Sequence, residues 1–309
     1  VRVLIVGAGG VGAYFGARLA LDGNDVMFVA RGAHREAMQR DGLKVYSPLG
    51  DMHLPAPQLY ESAEQAGLFD VILVCTKLWD SEPVADLIRP LMAHDTAVIS
   101  VQNGIEAEPL FARLLGEKHV MGGIAQISAH IEAPGVVRHH SETARFLFGE
   151  MDGSKSWRQE TLQAACSSAG LEAIVRDDIE VALWEKFVAL APSAGACAYY
   201  RATIGEVHGD PEKSETLKAL IREALTVARA KGIPFEEGRE ETFFKRIGTL
   251  PGTIKPSMLV DLERGNRLEL DWLLGAVVRL GEELGVDTPL SQEVYTALQP
   301  HALGRAASG

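Results

Sequence analysis

The chain opens on an apolar run, Val3-Leu4-Ile5-Val6, that breaks into Gly7-Ala8-Gly9-Gly10-Val11-Gly12. Beyond the glycines, Val11, Phe15, Leu19 and Leu21 mark out a helical apolar face. A short apolar run ending in turn residues predicts a buried strand, and three-to-four spacing predicts a helix. Residues 25–30 repeat the strand pattern, as do 70–75 and 97–101, with helical stretches at 81–93 and 105–115. Residues 124–131 and 146–149 read as later strands, set apart by the Pro134-Gly135 turn. From about Ser154 the pattern changes to long helical periodicities at 157–169, 179–200, 214–231, 268–284 and 291–298. Gly232-Ile233-Pro234 and Gly285-Val286-Asp287-Thr288-Pro289 end two of these with a Gly-then-Pro stop.

Alternating strands and helices followed by helices alone predict an α/β protein. An N-terminal Rossmann doubly wound parallel sheet, residues 1–177, precedes an all-helical C-terminal domain, residues 178–309. The opening run is then strand, G-x-G-x-x-G turn and helix. In that context Gly7 permits a tight turn, Gly9 lets backbone approach a pyrophosphate, and Gly12 lets helix pack on strand. The helix start adds unpaired N–H groups and the positive end of its dipole. The competing reading is a glycine-rich turn in another α/β protein. At the end of the second strand, where NAD enzymes place a carboxylate for the ribose, this chain has Ala30-Arg31-Gly32. A guanidinium suits a 2′-phosphate, so the expected cofactor is NADP(H), unless Arg31 is a solvated loop residue.

Size and composition narrow the rest. At 309 residues two domains are expected, and 47% hydrophobic with 23% charged residues is ordinary globular composition. A formal charge of −12 argues against nucleic-acid or anionic-membrane partners. No apolar run reaches transmembrane length, and the opening run is too short for a signal peptide. Cys75, Cys166 and Cys197 form no C-x-x-C pair and read as reduced thiols of a cytoplasmic protein. Scattered His and Cys spacing suggests no metal site. Residues 305–309 are expected to fray, and the apolar C-terminal helices leave room for a homodimer.

Three polar clusters interrupt apolar segments. Cys75-Thr76-Lys77 and Gln102-Asn103-Gly104 follow buried strands, at the carboxyl ends where open α/β sheets bind ligands. Ordinary loop chemistry is the alternative for both. Lys186 sits within Leu183-Trp184-Glu185-Lys186-Phe187-Val188, where a lysine must snorkel, pair or serve a site. Glu269 begins another helical stretch, where a carboxylate can simply favour the dipole.

These motifs in this order resemble the ketopantoate reductase (2-dehydropantoate 2-reductase) family over nearly the full length. The resemblance rests on Gly7-x-Gly9-x-x-Gly12, Lys77, Asn103-Gly104, Trp184-Glu185-Lys186, Ile204-Gly205-Glu206, Ser257-Met258-Leu259-Val260-Asp261 and Glu269-Leu270-Asp271. It implies NADPH-dependent reduction of a 2-keto acid to a 2-hydroxy acid, as in pantothenate biosynthesis. Lys186 would be the catalytic lysine and Glu269 its acidic partner, which also contacts cofactor. Asn103 would touch nicotinamide and substrate. Lys77 and Ser128 would contact cofactor beside Gly7, Ala8, Gly9, Gly10, Val11, Gly12 and Arg31. Ser257 would bind substrate.

The chain departs from the family pattern at Leu190, Ala194 and Ile204, where the family places Asn. A pocket without those amides discriminates by shape more than by hydroxyl recognition. A D-2-hydroxyacid dehydrogenase acting on a branched or aromatic keto acid is therefore the second reading. A non-catalytic NADP(H)-sensing Rossmann protein is the third.

Overall fold

A computed structural model describes residues 1–305 and divides the chain into two compact units. Residues 306–309, the greater part of the tail expected to fray, lie outside the described residues. The first unit is Val1–Gln102 with Ala107–Glu180, and the second is Asn103–Glu106 with the chain from Val181 onward.

The strands of the first unit are β1 (Arg2–Val6), β2 (Asp25–Val29), β3 (Leu43–Tyr46), β4 (Met52–Leu54), β5 (Gln58–Leu59), β6 (Phe69–Val74), β7 (Met92–Ser100), β8 (Val120–Gln126), β9 (Ala129–Ala133), β10 (Val136–His139), β11 (Arg145–Glu150) and β12 (Glu172–Val175). Its helices are α1 (Gly10–Leu21), α2 (Gly32–Asp41), α3 (Ala63–Ala66), α4 (Ser81–Ile88), α5 (Ala107–Leu115) and α6 (Trp157–Ser168). The large sheet runs β12-β11-β8-β7-β6-β1-β2-β5. Its pairings are parallel except that of β11 with β8. The central strands are apolar along their whole buried length: Val3 to Val6, Val71 to Val74 and Ala97 to Ile99 are all nearly inaccessible. Parallel strands covered on both faces require that run rather than alternation.

The second unit is helical: most of α7 (Ile179–Tyr200), then α8 (Ile204–Gly209), α9 (Pro211–Ala230), α10 (Glu240–Gly248), α11 (Ser257–Arg264), α12 (Leu274–Leu284) and α13 (Pro289–Leu298). Its core gathers Trp184 and Phe187 of α7 with Leu217, Leu220 and Ile221 of α9 and Leu274 and Val277 of α12. Helix boundaries follow local chemistry. Asp210 accepts from the Glu212 and Lys213 amides ahead of Pro211, and Gly285 closes α12 at φ +68°.

The structure departs from the sequence reading in places. The single strand expected over 124–131 is two, because the chain leaves the large sheet after β8 and enters a second sheet, β4-β3-β10-β9, as β9. At the crossing, the Ser128 amide bonds the Ser141 hydroxyl rather than a strand carbonyl. The stretch expected as one helix over 268–284 is a 3-10 turn, Leu270–Trp272, then α12, separated by Leu273 at φ −105°, ψ −95°. The stretch 81–93 ends its helix at Ile88, and Met92 already belongs to β7. Helices α8, α10 and α11, strand β12 and the second-sheet strands β3, β4 and β10 were not expected from the sequence, whereas the start of β9 falls within an expected strand.

His139 ties that second sheet to its surroundings. Its Nδ1 lies 2.8 Å from the Ser47 hydroxyl, and its Nε2 lies 2.9 Å from that of Ser141. Its ring rests against Tyr14 of α1 at 4.7 Å between centroids. Burial pushes the imidazole below its ordinary value of 6.5, against the opposing pull of the Thr143 carbonyl. The unfolded chain then takes up this proton first as pH falls through 6.5. The stability the neutral ring contributes is present above that pH and is lost below it, toward the lower folded value. Urea melts at about pH 7.5 and about pH 5.5 should show a lower midpoint in acid. His139→Asn should reduce that acid loss; an unchanged acid loss in the variant would remove His139 from the account.

Candidate active site

In the first unit, the turn after β1 is built by backbone alone. Gly7 stands at φ +101°, a region L side chains avoid, and the Gly7 and Ala8 amides donate to the Val29 carbonyl at 3.1 and 3.2 Å. A Cβ on Gly12 would lie 2.2 Å from the Gly7 carbonyl oxygen, whereas one on Gly9 would meet nothing within 4 Å. Gly12 is therefore required for the approach of helix to strand, and Gly9 keeps an approach from outside open. The first bond of α1 runs from the Ala13 amide to the Gly9 carbonyl at 2.8 Å. The amides of Gly10, Val11 and Gly12 precede it as the donors a helix start offers to an anion. A Cβ on Gly10 would lie 2.2 Å from the Ala129 carbonyl oxygen, so the start of β9 seats the helix start closely. This open, amide-lined cradle fits a dinucleotide pyrophosphate.

Arg31 occupies the N-cap of α2, exposed, with its guanidinium 3.8 Å from the Asp80 carboxylate. Lys77 follows β6, its ammonium 5.8 Å from the Trp79 ring centre. Ser128 lies exposed between β8 and β9 and accepts the His140 amide on its carbonyl. Two residues have supporting roles that the sequence did not show, one of them Gln102 of the second polar cluster. Buried Gln102 donates from Nε2 to the hydroxyls of Thr76 and Ser81 and accepts from Ser100, which fastens the turns after β6 and β7 together. His34 accepts the Gly135 amide on Nδ1 at 3.0 Å. Burial pushes its imidazole below the ordinary value while the Ala8 carbonyl acts the other way. A buried glutamine and a histidine early in a helix carry no sequence pattern that marks such roles.

In the second unit, Lys186 is half-buried on α7 between Trp184 and Phe187, which are 4% and 1% exposed. Glu269 is buried, and the Asn103 side-chain amide donates to its Oε2 at 3.4 Å. Asn103, at the end of a first-unit strand by sequence, thus groups with the second unit. Glu106 holds the same short segment through a 2.8 Å contact with Arg279 of α12. Ser257 is exposed at the first position of α11. Lys186, Leu190 and Ala194 recur every fourth residue on α7. Pro192 withholds the amide that would bond the Val188 carbonyl, and the Ser193 hydroxyl bonds the Ala189 and Leu190 carbonyls. Ala194 and Ile204 are closed into the core, while Leu190 remains half-buried.

All three cysteines are free, and burial raises their thiols, those of Cys166 and Cys197 to about 12. They are packing residues rather than thiolate nucleophiles. Among the described residues no helix is long and apolar enough to cross a membrane.

The parallel sheet, its glycine turn and the helical second unit define a Rossmann-type nicotinamide-dependent oxidoreductase. The profile of ketopantoate reductase PanE/ApbA matches residues 3–153, and that of its C-terminal domain matches residues 178–302. The chain belongs to the ketopantoate reductase family, oxidoreductases acting on a CH–OH group. It is 34% identical to the 2-dehydropantoate 2-reductase of Archaeoglobus fulgidus, over 96% of this chain and 97% of that one. It is 33% identical to the uncharacterized oxidoreductase YkpB of Bacillus subtilis, over 96% and 98%. The crystal structure of 2-dehydropantoate 2-reductase from Geobacter metallireducens matches at a TM-score of 0.89 and 31% identity, over 97% of this chain and 99% of that one. A D-mandelate dehydrogenase solved with NADH and anilino(oxo)acetate shares the fold at a TM-score of 0.88 and 22% identity, over 98% of both chains.

The glycine geometry separates folding from binding. Gly9→Ala meets no protein atom and keeps φ at −72°, so its thermal midpoint should match the parent while nicotinamide dinucleotide affinity falls about tenfold or more. Gly12→Ala should lower the midpoint itself. Unaltered affinity in Gly9→Ala, measured by fluorescence titration, would show that the dinucleotide does not lie on this turn.

Proposed function

We propose that this chain reduces the ketone of a 2-keto acid to the 2-hydroxy acid with NADP(H) as hydride source. The observation that carries this reading is the buried Glu269 held by Asn103 in the unit that bears the half-buried Lys186. These are the residues to which the family resemblance assigns the chemistry. On this reading residues 1–177 bind dinucleotide through the glycine turn, Arg31, Lys77 and Ser128. Residues 178–309, joined by Asn103, supply the substrate groups.

A bound reduced nicotinamide supplies the hydride to the ketone carbon. The carbonyl oxygen gains the electron pair, and the Lys186 ammonium both steadies the growing charge and gives up a proton to that oxygen. The amine is reprotonated from water. Asn103 orients Glu269, the acidic partner that the resemblance assigns to the lysine. Ser257 offers a hydroxyl to the substrate at the start of α11.

Conversion of ketopantoate to pantoate is the family reaction. A second reading, an apolar branched or aromatic 2-keto acid, is favoured by Leu190, Ala194 and Ile204. None of these can hydrogen-bond a substrate hydroxyl through its side chain.

Lys186→Ala should lower kcat by about a hundredfold or more while dinucleotide affinity is kept. Near-normal turnover would refute the assignment. Following NADPH oxidation against a panel of 2-keto acids also tests the non-catalytic alternative, which requires every member to be inert.

Within the panel, 2-ketoisovalerate and phenylpyruvate should exceed ketopantoate in kcat/KM. One unpaired hydroxyl costs about 1–3 kcal/mol, or roughly fivefold to more than a hundredfold. A hundredfold advantage for ketopantoate would instead place water or Ser257 in the role of the missing amides.

A further inference from the structure

Arg31 and Asp80 come from opposite sides of the glycine turn. In the large sheet β1 lies between β2 and β6. Neighbouring strands are about 4.8 Å apart, so the segments leaving β2 and β6 start about 10 Å from each other. Arg31 follows β2 and Asp80 follows β6, yet their charged groups stand 3.8 Å apart. The pair therefore closes across the carboxyl end of β1, where its turn offers the open face of Gly9. A dinucleotide seated on that turn must carry its adenosine end past this pair.

Asp80 is not held as a helix cap. It ends the 3-10 turn Leu78–Asp80 that runs straight into α4, and its side chain makes no capping bond. The carboxylate, one-third exposed, is directed at Arg31, which is two-thirds exposed. Two cations on these segments have other neighbours. Arg35 pairs with Glu61 at 3.1 Å, and Lys77 lies toward Trp79.

We infer that Asp80 is a specificity-determining residue that restrains the preference for a 2′-phosphorylated dinucleotide. A 2′-phosphate drawn to Arg31 arrives beside the Asp80 carboxylate, which repels it and competes for the same guanidinium donors. A ribose 2′-hydroxyl meets no such opposition and can donate to that carboxylate. The chain thus pairs a phosphate-attracting group with a hydroxyl-accepting one, and its choice between NADPH and NADH is set by their balance. This rests on the dinucleotide part of the proposed function and not on its keto-acid part.

The test is direct binding, read by cofactor fluorescence without substrate. Asp80→Asn removes the charge and keeps the size of the side chain. It should raise the ratio of NADPH to NADH affinity about tenfold, equivalent to about 1.4 kcal/mol. The gain should come through tighter NADPH and should shrink between about 0.05 and about 0.5 M salt, as exposed charge effects do. Arg31→Ala should move the ratio the other way. An unchanged or lower ratio in Asp80→Asn overturns the inference, as does a gain that salt leaves untouched. If Asp80→Asn does not fold, Asp80→Ser carries the same test with another uncharged side chain. Failure of the parent to bind either cofactor refutes the dinucleotide reading itself, whereas binding of both with an unmoved ratio refutes only the role of Asp80.

Discussion

Helix α1 starts where it does because Gly12 and Gly16 put no side chain between it and the strands beneath. A Cβ on Gly12 would lie 2.2 Å from the Gly7 carbonyl oxygen, and one on Gly16 would lie 2.3 Å from the Phe28 ring. Neither neighbour can give way cheaply: one is backbone in a left-handed turn, the other a fully buried ring of β2. This close approach sets the path of the turn after β1 and delivers the Gly10, Val11 and Gly12 amides to its mouth. It also fixes where Arg31 and Asp80 emerge, since both leave strands that flank β1. The second sheet adds a further constraint. Ala129 sits against Gly10 and His139 against Tyr14, so the start of α1 is held from both sides.

The second unit solves a different problem, which is to keep polar groups usable inside a helical core. Lys186 rides on a helix beside the buried Ala182, Leu183 and Phe187, and Glu269 is itself buried. A buried carboxylate is costly unless it is paired or hydrogen-bonded. Asn103 supplies one bond, and the chain spends the segment Asn103–Glu106 to deliver it, anchored by Glu106 on Arg279. The acid and its support are therefore positioned by one helical unit, although they come from distant parts of the chain. Pro192 removes one rung of α7 just past Leu190, and the Ser193 hydroxyl adds a bond to the Ala189 and Leu190 carbonyls beside it.

How much of this was legible in the sequence follows from the range of the interactions. The glycine turn is a local steric requirement, so its residues announce themselves. Helix α7 is a long apolar periodicity, and its observed limits, Ile179 and Tyr200, coincide with the stretch read from the pattern. As a sheet of its own the second sheet was not legible, because its strands are short and the parallel pair β3 and β10 joins residues about ninety positions apart, as in Val45 with Val137. Helix α10 was missed because its apolar positions, Phe243, Phe244 and Ile247, are embedded among charges that read as loop. Of the candidate site, Lys186, Glu269 and Asn103 could be named from motif order. That Asn103 holds Glu269 could not, since 166 residues separate them. The same holds for Asp80, an unremarkable acid until β6 is set two strands from β2.

The positions where the family resemblance leads one to expect amides carry neutral side chains, Leu190, Ala194 and Ile204. Two of them are closed into the core, where a polar side chain would need a partner of its own. Lys186 and Glu269, to which the resemblance assigns the chemistry, stand half-buried and buried, in a setting that makes charge expensive. Hydride addition to a ketone always builds negative charge on oxygen, whatever the rest of the substrate, so a cation near that oxygen is useful for every 2-keto acid. Recognition of a particular hydroxyl is useful for only one. On the proposed reading, the chain has the charged groups that the reaction class needs and lacks amides that a single substrate would need. The Arg31–Asp80 pair in the first unit sets a cation and a carboxylate side by side, so on the inferred reading cofactor choice is a balance rather than one decisive contact.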